Sequence, residues 1–404
     1  MNVAGRILLA LTLALTSLSA MSVKRADQSA DVEEIRIGNL MPYTGPLAEF
    51  GAIGKAEAAY FDMINERGGI NGRKVRFISY DDNSDPTVAL DLTRGLVERE
   101  NVLLMFGSYG TPGNLAVRGF LNESKIPQLF VASGAEELID PKAFPWTMGW
   151  QPSFRAEGRI YANYIQAFYQ HRKIVILWQD DQFGRDLYKG IQEGLGELAR
   201  MIIVGVAFDI ADAHVDGHVS ILKRSGGEIL VFAGVPTTAS QVIRLVGDSR
   251  WHPAFLLNHA AASIGTALSP AGVENAAGVI SAAFLKDPND PAWRDDPAIK
   301  EWLSFMDKYY PKGDKASSSA VYGYAAAETM VQVLKQCGDE LTRENIMKQA
   351  ANLKNFELGL LLPGIKINTS ATDYFPIEQM QMSRFNGEHG ELFGSPISAE
   401  MATQ

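Results

Sequence analysis

A strand that passes through a proline- and glycine-rich loop into an amphipathic helix is the feature that most constrains the fold of this chain. Apolar or small residues predominate at 35–40, with a gap, and predict the strand, and the loop begins at Pro42. Ile53 and Tyr60 lie on one face of the helix that follows. The glycine-rich run 68–72 ends this helix and turns the chain toward the next strand. Such a unit predicts a loop that can hold a ligand, because glycines let the backbone approach closely.

The same unit recurs along the chain, which predicts an α/β fold with parallel sheets. The 404 residues, of which 46% are hydrophobic, suffice for two globular units rather than one. In the first unit, further strands are expected at 74–80, 103–106 and 127–132. In the second unit, strands are expected at 173–178, 201–208, 228–233 and 254–258. We therefore expect two doubly wound parallel-sheet lobes.

The chain is expected to cross between the lobes three times, near residues 150, 280 and 360. Segment 144–152 interrupts the strand–helix rhythm with prolines and tryptophans, and it predicts the first crossing. A strand at 278–284 is expected to return to the first lobe. Together the three crossings would form a hinge.

These crossings divide the chain into two discontinuous lobes. The first lobe is expected to contain residues 33–149 plus 281–362, and the second 150–280 plus 363–395. A hairpin that includes residues 379–384 is expected on the second lobe.

The first 26 residues predict a cleaved secretory signal, with the cut between residues 20 and 30. Arg6 precedes an uncharged apolar stretch at 7–20 that is too short to span a membrane. An uncleaved membrane anchor is the alternative. Cys337 is the only cysteine, so neither an intrachain disulfide nor a lipid anchor of the lipoprotein kind is expected. A free periplasmic protein fits these features.

Charge and motif content argue against nucleic-acid binding and against catalysis. The formal net charge is −10 and is spread along the chain, without the clustered lysines and arginines that phosphate binding needs. The sequence lacks a Gly-x-Ser-x-Gly elbow, a His-Glu-x-x-His motif, a dinucleotide fingerprint and a nucleotide-binding phosphate loop. We expect neither an enzyme nor a cofactor, and we keep a hydrolase acting in the cleft only as a third hypothesis.

Two groups of side chains invite a metal-site interpretation. Asp81, Asp82 and Asp85 lie in one loop, but helix capping and loop hydrogen bonds explain them without a cation. His214 and His218 are four residues apart, as ligands on a helix would be, but no further ligand completes the pattern. We therefore expect no metal site.

Loops at the predicted strand ends supply the candidate ligand groups. Thr111 follows a strand in a glycine-rich turn, so its hydroxyl and the neighbouring N–H groups can bind an anion. The alternative is that Thr111 only caps its own helix. Phe50 and Phe183 occupy corresponding loop-to-helix positions in the two lobes. Trp150 is a further candidate for the cleft wall, although a tryptophan is as often a core residue.

Three segments, in this order, resemble the start of a known family. Residues 44–51 (TGPLAEFG), 65–72 (NERGGING) and 80–86 (YDDNSDP) are similar to the leucine/isoleucine/valine-type periplasmic solute-binding proteins of ABC transporters. The resemblance extends to about residue 393. It implies the type I periplasmic binding fold, in which two lobes close over a small ligand.

The resemblance also implies a set of ligand contacts. The family's carboxylate-binding positions match Thr111 and, with a register that is open by one residue, Ser133, Gly134 and Ala135. Its aromatic positions match two phenylalanines, at places where members that bind aliphatic amino acids usually carry tyrosine.

Those members also place a glutamate after the strand near residue 255, where it receives the ligand's ammonium group. The corresponding segment here is 257–260 (LNHA), which contains no acid. A buried ammonium without a carboxylate partner would be costly, so either another group supplies the charge or the ligand lacks an amine.

We therefore hypothesise that the ligand is a small hydrophobic carboxylate, aliphatic or aromatic, with amino acids as the close rival. Phe50, Phe183, Tyr109 and Trp150 are expected to stack on its apolar body, and His259 or Asn258 to meet a polar tail. The expected function is solute binding for an ABC importer, with a permease of the inner membrane as partner and the protein acting as a monomer. A ligand-sensing receptor domain is the alternative, because the fold alone does not decide between them.

Overall fold

The computed structural model describes residues 34–211 and 214–398, and the predicted signal at 1–26 lies outside this part of the chain. The described residues form two sheets flanked by helices. The strands are β1 (Glu34–Met41), β2 (Lys74–Asp81), β3 (Leu104–Phe106), β4 (Gln128–Val131), β5 (Thr147–Gly149), β6 (Ile174–Gln179), β7 (Ile202–Phe208), β8 (Ile229–Ala233), β9 (Ala254–Leu257), β10 (Ile280–Ala283), β11 (Gln379–Phe385) and β12 (Gly390–Ser398).

Helices connect most of these strands, and three further helices precede β11. The helices are α1 (Ala52–Glu66), α2 (Pro86–Glu98), α3 (Thr111–Glu123), α4 (Phe154–Phe168), α5 (Gln182–Leu195), α6 (Asp216–Arg224), α7 (Pro236–Asp248), α8 (Ser269–Ala271), α9 (Val273–Ala276), α10 (Pro297–Tyr309), α11 (Ser318–Gln336) and α12 (Arg343–Ala350). Short 3-10 turns at Ala48–Gly51 and His259–Ala261 also contribute to the site described below.

The first sheet has the order β2-β1-β3-β4-β5, and all its pairs are parallel. Apolar side chains project from both faces of this sheet. Ile35 and Ile37 of β1 point into a core shared with α1 and α11, whereas Leu40 and Met105 point into a core shared with α2 and α3. A sheet with helices on both faces is the doubly wound arrangement that the sequence predicts.

The second sheet has the order β12-β11-β10-β9-β8-β6-β7. Its strands from β6 to β10 are parallel, and the hairpin β11–β12 adds two antiparallel strands at one edge. Ile174 and Ile176 of β6 face the larger core, while Val175 and Leu177 face a core that contains α6 and α7 residues. The α/β fold of two doubly wound lobes and the predicted hairpin are confirmed.

The prediction that strand 278–284 returns to the first lobe is wrong. Ile280–Ala283 pairs in parallel with β9 and antiparallel with β11, so it lies inside the second sheet. The chain leaves this sheet directly afterwards, where Leu285 forms a bridge with Leu361. Lys286 N–H donates to Leu360 O at 2.8 Å, which attaches the second crossing to a first-lobe segment.

The other crossings also differ in detail from the predicted lobe boundaries. Within segment 144–152, Thr147–Gly149 is a short edge strand of the first sheet, and the chain crosses only after it, before α4. Residues 363–376 stay with the first lobe rather than joining the second, because the Thr369 hydroxyl donates to Ala350 O at 2.6 Å and Gly149 N–H donates to Tyr374 O at 3.3 Å. The second sheet resumes at Gln379.

None of the helices in the described part of the chain is both long enough and apolar enough to cross a membrane.

The close contact of α1 with α11 depends on a glycine, and Gly323→Ala is expected to destabilise the protein. A Cβ at residue 323 would lie 2.3 Å from the Ile53 carbonyl oxygen, so the two backbones would have to separate. Overpacking of this kind costs about 1–3 kcal/mol in the free energy of unfolding. Urea denaturation measures the change.

Gly119→Ala is the control, because that helical glycine has no heavy atom within 4 Å of its Cβ position, and alanine there is expected to stabilise by about 0.5–1 kcal/mol. Equal effects at both positions would contradict the packing.

A half-buried acid in α11, Glu328, is expected to make stability fall as the pH rises. Burial, with a contribution from Glu301, raises the pKa of Glu328 to about 7. The unfolded chain loses this proton near pH 4.3, so the folded state binds more protons between about pH 4.3 and pH 7 and is destabilised across that window. Glu328→Gln removes the effect, and urea denaturation at pH 8 should show the variant about 1–3 kcal/mol more stable than the wild type.

At pH 4 the Glu328→Gln variant and the wild type should unfold alike, because the carboxyl is then protonated in both states. Glu98→Gln, at an exposed position in the last turn of α2, is the control and should change stability by less than about 0.5 kcal/mol at either pH. A Glu328→Gln variant that is less stable than the wild type at pH 8 would contradict the shift.

Candidate ligand-binding cleft

A cleft of about 520 Å³ lies between the two sheets. Its walls are loops at the carboxyl ends of the parallel strands, where doubly wound sheets place their ligand-binding groups. The first lobe contributes the loops after β1, β3 and β4, and the second contributes the loops after β6, β8 and β9. The second crossing closes one side with residues 283–290.

Two hydroxyls meet on the first-lobe wall. Thr111 begins α3, Ser133 follows β4, and their side-chain oxygens lie 2.7 Å apart, with both residues more than 90% buried. Gly110 rather than Thr111 occupies the N-cap position, and Thr111 makes no capping hydrogen bond, so the alternative in which Thr111 only caps its helix has no support. Both hydroxyls line the cleft, and a pair of hydroxyls beside the start of α3 suits a carboxylate.

Aromatic rings flank these hydroxyls on the same lobe. Phe50 and Tyr109 stack with ring centroids 4.5 Å apart and planes 18° apart, and both line the cleft. Burial, with smaller contributions from Glu49 and Asp181, raises the pKa of the Tyr109 phenol well above its usual value. The phenol therefore keeps its proton, and this wall offers an uncharged apolar surface.

Phe183 lies on the opposite wall, at the start of α5. Its ring meets Phe154 edge-on, with centroids 4.6 Å apart, and both residues line the cleft. Phe154 begins α4 immediately after the first crossing, and its backbone N–H donates to Gly134 O at 2.9 Å. The sequence-predicted phenylalanines thus lie on opposite lobes of one cleft.

Three of the sequence-predicted site residues do not line the cleft. Trp150 is completely buried, where its indole N–H donates to the Thr329 hydroxyl at 3.0 Å and its ring contacts Phe284 and Tyr322. A side chain held in this way packs the core beneath the cleft, so Trp150 cannot stack on a ligand.

Gly134 and Ala135 lie behind the cleft wall. A Cβ on Gly134 would be 2.6 Å from Pro152 O, so this glycine allows the loop to pack against the first crossing. Ala135 is completely buried, and its backbone N–H donates to the Ser133 hydroxyl at 3.3 Å. Of the three positions within the register doubt, Ser133 is the one that reaches the cleft.

His259 lines the second-lobe wall and is attached to an acid that sequence reasoning missed. Nδ1 of His259 lies 2.8 Å from Oε2 of Glu157, and its backbone N–H donates to Oε1 of the same carboxylate at 2.6 Å. Glu157 is completely buried in the first turn of α4. The expectation that segment 257–260 contains no acid holds, but a carboxylate lies directly behind it. Because 102 residues separate the two partners, no local pattern could reveal the pair.

Asp181 and Tyr322 are two further cleft residues that the sequence did not single out. Asp181 caps α5 by accepting a hydrogen bond from Gly184 N–H at 3.0 Å, and burial raises the pKa of its carboxyl. The Tyr322 hydroxyl is buried and has no hydrogen-bond partner within the described part of the chain. A capping signal at Asp181 was visible in the sequence, whereas Tyr322 lies inside α11, where no local pattern marks a cleft residue.

The charged side chains of the cleft are mostly acidic. Among the lining residues that the structure describes, Lys286 is the one lysine, and its ammonium lies 2.7 Å from Asp296. The acids in the lining are Asp82, Asp180, Asp181, Asp209, Asp287 and Asp290. This charge distribution favours a ligand that carries a positive group in addition to any carboxylate.

No metal-binding cluster occurs among the residues that the structure describes. Asp85 accepts hydrogen bonds from Thr87 N–H at 2.7 Å and Val88 N–H at 3.3 Å, and thus caps α2. Asp81 accepts from Tyr43 N–H at 3.0 Å, which orders the loop after β1. These hydrogen bonds account for the acidic loop without a cation.

The comparisons with known proteins agree with this architecture. A family model described as a periplasmic binding protein matches residues 34–390. The chain is 24% identical over 319 residues to the Leu/Ile/Val-binding protein homolog 1 of Brucella abortus, which covers 77% of this chain and 81% of that protein.

Two solved structures share the fold closely. A branched chain amino acid ABC transporter from Thermus thermophilus with bound valine superposes with a TM-score of 0.83 at 19% identity, covering 91% of this chain and 97% of that one. A fatty acid ABC transporter substrate-binding protein from Thermomonospora curvata superposes with a TM-score of 0.77 at 20% identity, covering 91% and 93%. At these identities the similarity establishes the fold, not the ligand.

Proposed function

Because the chain belongs to the periplasmic binding protein family, of the leucine/isoleucine/valine-binding type, we propose that it is the extracytoplasmic solute-binding component of an ABC importer. The family consists of solute-binding proteins rather than enzymes. The proposed ligand is a small hydrophobic amino acid or an amine-free hydrophobic carboxylate, held in the cleft between the lobes.

The observation that carries this proposal is the position of the Thr111–Ser133 hydroxyl pair. It faces a cleft whose opposite wall contains Phe183 and His259, so polar and apolar groups from both lobes surround one volume. The hydroxyls would bind the ligand's carboxylate, and the stacked Phe50 and Tyr109 rings would cover its apolar part. A ligand bound in this way contacts both lobes at once.

Contacts to both lobes would favour a closed arrangement. The chain passes between the sheets after Gly149, after Ala283 and before Gln379, and three such crossings can act as a hinge that absorbs a rigid-body rotation. A ligand that binds the closed arrangement more tightly shifts the population toward it.

Features of the molecule and of its relatives support both ligand classes, amino acids and amine-free carboxylates. The acidic lining and the carboxylate of Asp181 favour a ligand with an ammonium group. The relatives point both ways: the Thermus thermophilus structure contains valine, and the Thermomonospora curvata protein is named for fatty acids, which carry no amine.

The proposed setting is the periplasm, after removal of a signal at about residues 1–26, where the protein would act as a monomer and deliver its ligand to an inner-membrane permease.

A ligand-sensing receptor of the same fold is the second candidate, since related structures include proteins described as extracellular ligand-binding receptors. Uptake of radiolabelled ligand in a deletion strain separates the two roles. Loss of uptake supports the importer, whereas normal uptake with a lost cellular response supports the sensor.

Calorimetric titration of the purified protein is expected to detect binding of at least one compound among leucine, phenylalanine, benzoate and phenylpyruvate. Thr111→Val should weaken that binding by about 10-fold or more, because valine keeps the shape but removes a hydroxyl from a charge-assisted hydrogen bond. Thr87→Val, the same substitution at an exposed position in α2, is the matched control and should leave the dissociation constant unchanged.

Thermal unfolding of both threonine variants verifies that they are folded. The proposal fails if none of the four compounds binds, or if Thr111→Val and Thr87→Val bind the ligand equally well.

A further inference from the structure

The carboxylate of Glu157 is buried under the second-lobe wall and serves one cleft residue. It is completely buried, and its described neighbours are hydrogen-bond donors. Oε1 lies 2.7 Å from the Tyr161 hydroxyl, which also contacts Leu257 O at 2.8 Å, and accepts from His259 N–H at 2.6 Å, while Oε2 lies 2.8 Å from His259 Nδ1. Burial and the nearby Glu157 raise the pKa of Tyr161 well above its usual value, so this phenol stays protonated and can donate.

These contacts fix the orientation of His259. An ionised carboxylate only accepts hydrogen bonds, so the 2.8 Å contact requires a proton on Nδ1. The tautomer of a neutral imidazole is set by the hydrogen bond that one nitrogen makes, which leaves Nε2 with a free lone pair. Nε2 makes no hydrogen bond within the described part of the chain, and His259 lines the cleft. The available edge of the ring is therefore a hydrogen-bond acceptor.

We propose that Glu157 is a positioning residue that presents His259 Nε2 as an acceptor for an N–H donor of the ligand, and that the cleft therefore selects amino acids over amine-free acids. The inference rests on the proposed solute-binding function and narrows its ligand class. The ligand's carboxylate meets the Thr111–Ser133 pair, and its ammonium group meets His259.

The charges around this contact favour a cationic ligand group. A buried carboxylate is costly without compensation, and Glu157 has hydrogen-bond donors but no lysine or arginine within 4 Å in the described chain. An ammonium group on the far side of the imidazole supplies the missing positive charge. The cleft acids, including Asp181, add to the same preference.

The elements that pack against the turn at His259–Ala261 do not bring a competing charge to the ring. The α7 helix contributes Arg244 and Asp248, which are both exposed, and β10 (Ile280–Ala283) contains no titratable side chain. On the ring's other side, Phe284 meets it edge-on at 5.5 Å. Glu157 is thus the group that determines the ring's polarity.

Nitrogen-15 NMR of the histidine side chains tests the positioning directly. In the wild-type protein at pH 8, His259 should show a protonated Nδ1 and an unprotonated Nε2. Glu157→Gln should move the signals toward a mixture of tautomers, because a neutral amide can either donate to Nδ1 or accept from it. His259→Gln assigns the signals, and His252→Gln, the same substitution at an exposed position, is the control. A wild-type His259 protonated on Nε2 alone would overturn the inference.

Affinity for matched ligands provides the second readout. Leucine should bind at least about 10-fold more tightly than 4-methyl-2-oxopentanoate, and the affinity for phenylalanine should exceed that for phenylpyruvate by a similar factor. The reason is that each oxo acid replaces a charged hydrogen-bond donor by an acceptor. Glu157→Gln and His259→Gln should both reduce this ratio toward 1, while His252→Gln should leave it unchanged. Thermal unfolding identifies variants that fail to fold, and the wild-type ratios test selectivity without any variant.

The outcomes separate the inference from the proposed function. If an oxo acid binds as well as its amino acid, or better, the inference is wrong while solute binding stands. If the affinity ratio of amino acid to oxo acid is unchanged in both Glu157→Gln and His259→Gln, another group recognises the amine and the inference is wrong. If neither ligand pair binds at all, the proposed function fails for this ligand class, and the NMR result then reports only whether Glu157 positions the ring.

Discussion

Parallel strand pairing is the constraint on which the rest of this structure depends. In a parallel sheet every strand ends at the same edge, so the loops that follow β1, β3 and β4 must converge, and those after β6, β8 and β9 converge in the other lobe. The crossings join the two lobes so that both edges line one cleft. Residues that are distant in sequence, such as Phe50 and Phe183, line one cleft because of this pairing and the crossings together.

The sequence was most informative where a residue's role is local. The strand–loop–helix units, the capping aspartate Asp85 and the positions of Thr111, Phe50 and Phe183 at loop ends all follow from patterns within a few residues. It was least informative at the crossings. Strand Ile280–Ala283 is short and consists of small residues, so its assignment depends on pairing with β9 and β11, which no local pattern encodes.

The chemistry of the site shows the same limit. Trp150 has a side chain suited to a cleft wall, but its hydrogen bond to the hydroxyl of Thr329, 179 positions away, holds it in the core. The absence of an acid in segment 257–260 suggested a ligand without an amine, yet Glu157 reaches His259 from the first turn of α4. A carboxylate behind a histidine changes which ligands the wall can accept, because it fixes the nitrogen that faces the cleft.

The central claim is that the cleft captures a small hydrophobic acid by contacts from both lobes. The most direct measurement is mass spectrometry of the small molecule released when the protein, purified from its own periplasm, is denatured. The account predicts an amino acid or a carboxylic acid with an apolar aliphatic or aromatic body, present at close to one molecule per protein chain. A sugar, a nucleotide or a compound without a carboxylate at that stoichiometry would contradict it.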